Sequence, residues 1–106
     1  MNKSSGTYVS RAVFLDNTFN TVAVNLEAAT PDKTSFKVYY SIDNTTWTQL
    51  TVQGTPKQVN EEYYRYSYKN TLDTPANKYR IKIEMATTDV TVRPKIRRLM
   101  SIMRNE

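Results

Sequence analysis

The sequence predicts an all-β, antiparallel fold, either a sandwich or a barrel. Three observations carry that expectation. Apolar and polar residues alternate over short runs, most clearly in Phe36–Ile42. There Phe36, Val38, Tyr40 and Ile42 share one face, and Lys37, Tyr39 and Ser41 share the other. About seven such runs recur at a spacing of roughly 8–12 residues, with turn residues between them. Threonine, asparagine and tyrosine are abundant while alanine and leucine are few, a bias towards strands over helices.

The elements follow in order. Met1–Gly6 is small and polar, has no apolar run, and reads as a disordered lead-in rather than a signal peptide. Thr7 to Leu15 reads as extended, and Asp16-Asn17 as a turn. Asn20 to Glu27 is a strand with Val22, Val24 and Leu26 inward and Thr21, Ala23 and Asn25 outward. Pro31-Asp32-Lys33 turns the chain into the central hairpin, Phe36 to Leu50. In that hairpin Asp43-Asn44 supplies the turn chemistry, and Thr45, Thr46, Trp47 and Thr48 favour extended structure again.

Gly54 and Pro56 end the hairpin's second strand. Glu61 to Tyr68 holds four tyrosines, with Tyr64, Tyr66 and Tyr68 on one face and Tyr63 with Arg65 on the other. Leu72 to Asn77 reads as a long turn. Lys78 to Met85 is a strand with Tyr79, Ile81, Ile83 and Met85 inward and Lys78, Arg80, Lys82 and Glu84 outward. Val90 and Val92 begin a short extended piece that Pro94 ends. Ile96, Leu99, Met100 and Met103 match helical spacing, and the same residues form a strand if one bulge falls near Arg97-Arg98. No internal repeat or linker divides the chain, so residues 7–104 are expected to form a single domain.

Composition limits the chemistry. The 106 residues include neither cysteine nor histidine. That excludes disulfides, thiol catalysis and Cys-based metal sites, along with the commonest general base near neutral pH. Ten carboxylates remain, scattered through turns and strand faces, and none are paired as glycoside hydrolysis needs. The chain is therefore expected not to be an enzyme, and no cofactor or metal is expected. Turn oxygens near Asp16 or Asp43 are the only candidates for calcium. Asn44-Thr45-Thr46 is a formal glycosylation sequon set in a tight turn. No window approaches the length of a membrane span.

Three pieces, in order, resemble one family. Val38-Tyr39-Tyr40-Ser41-Ile42-Asp43 with Trp47 is similar to the strand–turn–strand of discoidin-type and carbohydrate-binding jelly rolls. Asn77 to Ile83 resembles their late strand of aromatic, arginine and aliphatic residues. Pro94-Lys95-Ile96-Arg97-Arg98-Leu99 resembles their closing strand. Together they imply a galactose-binding-like jelly roll, an antiparallel β-sandwich, and make residues 96–103 a strand. A narrower resemblance is to small jelly-roll domains of tailed-bacteriophage structural proteins. These share the tyrosine-rich strand, the run from Tyr79 to Met85, and the run from Val92 to Leu99. The turn carries Asn44 where the carbohydrate-binding relatives keep glycine, and no binding residue carries over by motif.

The resemblance implies a structural component of a tailed-phage virion, in the tail, baseplate, neck or fibre-attachment region. Such a component is made in the host cytoplasm and acts by assembly with other virion proteins in a symmetric or homo-oligomeric array. The alternative is a non-catalytic carbohydrate-binding module that recognises a host surface glycan. The candidate contacts for either partner are Tyr39, Trp47, Tyr63, Arg65, Arg97 and Arg98. Trp47 reads first as a residue packed between sheets, and otherwise as a sugar platform. The basic C-terminal stretch of Arg93, Lys95, Arg97, Arg98 and Arg104 fits a charged edge strand, an acidic neighbour or nucleic-acid phosphates. Aromatics do not interleave it, which disfavours single-strand stacking, so nucleic acid is not the expected partner.

Overall fold

The computed structural model describes residues 4–9, 12–30, 33–43, 45–88 and 94–105. Eight strands follow in chain order: β1 (Ser4–Val9), β2 (Val13–Ala29), β3 (Thr34–Ser41), β4 (Thr48–Gln49), β5 (Thr51–Val52), β6 (Lys57–Gln58), β7 (Tyr64–Thr87) and β8 (Lys95–Arg104). The described residues are all-β and every pairing is antiparallel, as the alternation predicts. The pairing is one connected sheet in the order β4-β3-β7-β2-β8, with β1, β5 and β6 also paired to β7.

β7 is the spine. Its first part, Tyr64 to Thr71, lies between β2 on one side and β5 and β6 on the other. Its second part, from Arg80 to Thr87, lies between β3 and β1. The two parts face each other across a shared core. Phe36 of β3 meets Tyr66 of β7 edge-on at 5.0 Å. Asn70 Nδ2 donates to the Tyr40 hydroxyl at 2.6 Å.

Alternation places the core. Val22, Val24, Leu26 and Ala28 of β2, Val38 and Tyr40 of β3, and Tyr68, Ile81 and Ile83 of β7 are all buried in one cluster with Phe19 and Leu50. Each fully buried aliphatic of this kind contributes about 1.5–3 kcal/mol.

Four expectations are corrected. Ser4, Ser5 and Gly6, expected within a disordered lead-in, pair with Thr87, Ala86 and Met85, and residues 1–3 lie outside the described residues. The turns expected at Asp16-Asn17 and Leu72–Asn77 do not reverse the chain. They are facing irregularities in β2 and β7, where the register shifts on both sides of Phe19–Ala76. Each strand absorbs the other's extra residues, so the two bend together. Thr21, expected outward, is buried. Tyr64, on the same face as the core residue Tyr68, is exposed.

The C-terminal segment is a strand. Glu27 pairs with Arg97 and Asn25 with Met100, so Arg98 and Leu99 together oppose Leu26. Arg98 takes the extra place with φ 54, a left-handed conformation that bulges permit. The bulge resets the phase. Ile96, Leu99 and Met103 pack on the core, while Met100 turns outward. The extended piece expected at Val90 and Val92 lies outside the described residues.

Candidate functional site

The six candidate contacts fall into two groups on different parts of the sheet. Tyr39 and Trp47 form the first. Tyr39 pairs directly with Lys82 across β3 and β7, so their side chains leave the same face. Asp43 brings Trp47 to that face. Its Oδ1 accepts from the amides of Thr46 (2.7 Å) and Thr45 (2.9 Å) and from the Ser41 hydroxyl (3.0 Å). Those amide bonds, Thr46's first and then Thr45's, hold the Asp43 carboxyl well below the usual carboxylate range. The carboxylate fixes the turn that calcium was considered for. Among the described residues, no three acidic side chains converge as a metal would need.

Lys82 Nζ lies 4.7 Å from the Tyr39 ring centre and 4.8 Å from that of Trp47. Arg80 approaches the Trp47 ring at 6.0 Å. Glu84 completes the set, 3.6 Å from Lys82 Nζ. Only 17% of the Lys82 side chain is exposed. Burial, and then the Glu84 carboxylate, push the Tyr39 hydroxyl above its ordinary value. Trp47 is half-buried under cations and lies outside the core cluster, contrary to its expected place between sheets. Its position just after a turn puts it on the outer surface of β3 and β7.

Tyr63, Arg65, Arg97 and Arg98 form the second group, around a residue the sequence did not single out. Glu27 is 4% exposed and stands on the outward side of β2. Arg97 Nε donates to its Oε1 at 2.8 Å. Arg65 and Arg98 each reach Oε2 at 3.5 Å. Register explains the convergence. Arg65 of β7 and Arg97 of β8 flank Glu27 from its two neighbouring strands. The bulge adds Arg98, so two consecutive arginines serve one carboxylate. Burial pushes the Glu27 carboxyl up, but the Arg97 hydrogen bond, the charges of Arg98 and Arg97, and Arg65 outweigh it. The net effect holds the carboxyl below its ordinary value.

Tyr63 is set by a turn of the same kind as Asp43's. Asn60 Oδ1 accepts from the amides of Glu62 and Tyr63, both at 2.8 Å. The Arg97 guanidinium lies over the Tyr63 ring at 3.7 Å. One guanidinium therefore holds a carboxylate and a ring face at once, which is a rigid arrangement. The three guanidiniums favour the ionised form of Glu27, which in turn fixes their geometry.

Sequence reasoning missed Glu27, Lys82, Arg80 and Glu84 as members of these groups. The signal for Glu27 was its outward phase continuing Thr21, Ala23 and Asn25, but its partners are far away in sequence. No family model, no curated protein and no solved structure matches the chain.

Proposed function

We propose that the chain is a non-catalytic structural module that works by protein–protein assembly, as a component of a tailed-bacteriophage virion with a galactose-binding-like jelly-roll sandwich. The sandwich reading is supported by the packing of Phe36 on Tyr66 and of Tyr40 on Asn70. The phage reading rests on the sequence resemblance. The observation that carries the assembly reading is Arg97, held by Glu27 at 2.8 Å and laid on Tyr63 at 3.7 Å. Tyrosine and arginine are the residues that interfaces favour, and here they are ordered before any partner arrives. The partners are other virion proteins in a symmetric array, and the chain's place is the virion.

Light scattering coupled to gel filtration, over a range of concentrations and at low and high salt, tests the reading. A defined ring or trimer is the expected result. The glycan-binding reading has one observation in its favour, since Tyr39 and Trp47 meet on one outer face. Lys82 lies against both rings and competes with a stacked sugar. A chain that stays monomeric at every concentration, with Trp47 emission that shifts on adding sugar, would replace assembly with glycan binding.

A further inference from the structure

Among the described residues, basic side chains gather on one face. Lys57, Arg65, Glu27 and Arg97 form a single row across β6, β7, β2 and β8, because each pairs with the next. Arg98 joins the row through the bulge. The face continues with Lys69 opposite Ala23, Lys95 opposite Ala29, and Arg104 opposite Thr21. Against these seven cations stand Glu27 and Glu62, the latter paired with Lys95 at 3.4 Å. Among the described residues placed on it, the face holds more cations than carboxylates.

The middle of the face is not basic. Asn25 and Ser67 pair there, and Met100 lies opposite Asn25. Met100 is 57% exposed. Ile102 lies beside it, opposite Ala23. An uncharged centre that exposes Met100, rimmed by cations, has the anatomy of a protein interface. A phosphate backbone would gain nothing from Met100. One face of the Tyr63 ring is already taken by Arg97, which leaves less of it for a base.

We propose that the outer face of β6, β7, β2 and β8 docks an acidic protein surface. The partner sets an apolar side chain on Met100 and carboxylates on the arginines around Glu27. Glu27 is the template for that contact. It shows that the spacing of Arg65 and Arg97 suits a carboxylate, and it keeps three guanidiniums together against their mutual repulsion. Their remaining N–H groups are then presented in the fork geometry that carboxylates match. This inference rests on the assembly reading and names its surface and partner chemistry.

The test is fluorescence anisotropy with three labelled probes of equal charge: a peptide alternating glutamate and leucine, polyglutamate, and a single-stranded oligodeoxynucleotide. The native chain is expected to bind the glutamate–leucine peptide tightest. Met100→Ser and Arg98→Asn, the latter suited to a left-handed position, should each weaken that binding about tenfold. Lys37→Glu, on the outer side of β3, should leave it unchanged. Circular dichroism confirms that each variant is folded. Equal binding by the native chain and both face variants, or no binding of the peptide, would overturn the docking face. The assembly reading would stand in either case, since light scattering tests it separately. Tightest binding of the oligonucleotide would overturn the docking face in favour of a nucleic-acid surface.

Discussion

The two outer surfaces solve opposite problems with similar parts. On β2, β7 and β8, a buried anion, Glu27, is surrounded by exposed cations. On β3 and β7, a mostly buried cation, Lys82, lies against two aromatic rings and one carboxylate. A side-chain amide or carboxylate turn delivers the aromatic in each case, Asn60 to Tyr63 and Asp43 to Trp47. The difference lies in what is left for a partner. Around Glu27 the three arginine side chains stay exposed. Around Lys82 the ring faces are already occupied by the protein's own cation. The first surface leaves its arginines exposed, whereas the second covers its rings and its cation with one another.

The largest effect comes from neither surface but from the core beneath both. Leu26→Ala removes a buried side chain directly behind the bulge and should cost about 2–5 kcal/mol, read as a lower urea midpoint with unchanged slope. Glu27→Gln comes next. It keeps the shape but leaves three arginines without their counter-charge, so its urea midpoint should fall clearly further than that of Lys82→Met, which keeps apolar contact with both rings. Equal midpoints for the two would break the comparison.

Acid should act on the first surface in the same way as Glu27→Gln. The native Glu27 carboxyl lies below its ordinary value of 4.5. Its contribution is therefore fully present above that pH and is lost as the pH falls through the lowered native value. The stability gap between the native chain and Glu27→Gln should close as the pH falls through that window. Asp43 shifts in the same direction in both proteins and does not enter the difference. A gap that persists in acid would contradict the account.

Smaller effects sharpen the contrast. Arg97→Lys keeps the charge but loses the planar stack on Tyr63, and should cost roughly 0.5–1 kcal/mol in chemical denaturation. Lys82→Ala should raise the solvent accessibility of Trp47, seen as stronger acrylamide quenching, while Arg97→Ala leaves that quenching unchanged.

Much of this was legible in the sequence where the reasoning was local. Alternation found the inward faces of β2, β3 and the second part of β7, and the spacing of residues 96–103 allowed β8 with one bulge near Arg97-Arg98. The paired irregularities of β2 and β7 were not legible. Asp16-Asn17 and Pro75 signal a break in each strand, but only the pairing decides whether the chain reverses or bends. The same limit applied to the sites. Tyr63 with Arg65, and Arg97 with Arg98, were readable as two basic segments. That one glutamate joins them depends on β2 lying between β7 and β8, and no local pattern encodes that order.

The most direct test of the central claim is the order of the Arg97 side chain in solution. Nitrogen-15 relaxation at Nε measures it in the native chain and in Glu27→Gln. The account predicts that Arg97 Nε in the native chain is as rigid as the backbone, and that Glu27→Gln or acid releases it. An Arg97 Nε as mobile as that of an ordinary surface arginine in the native chain would contradict a face prepared by Glu27.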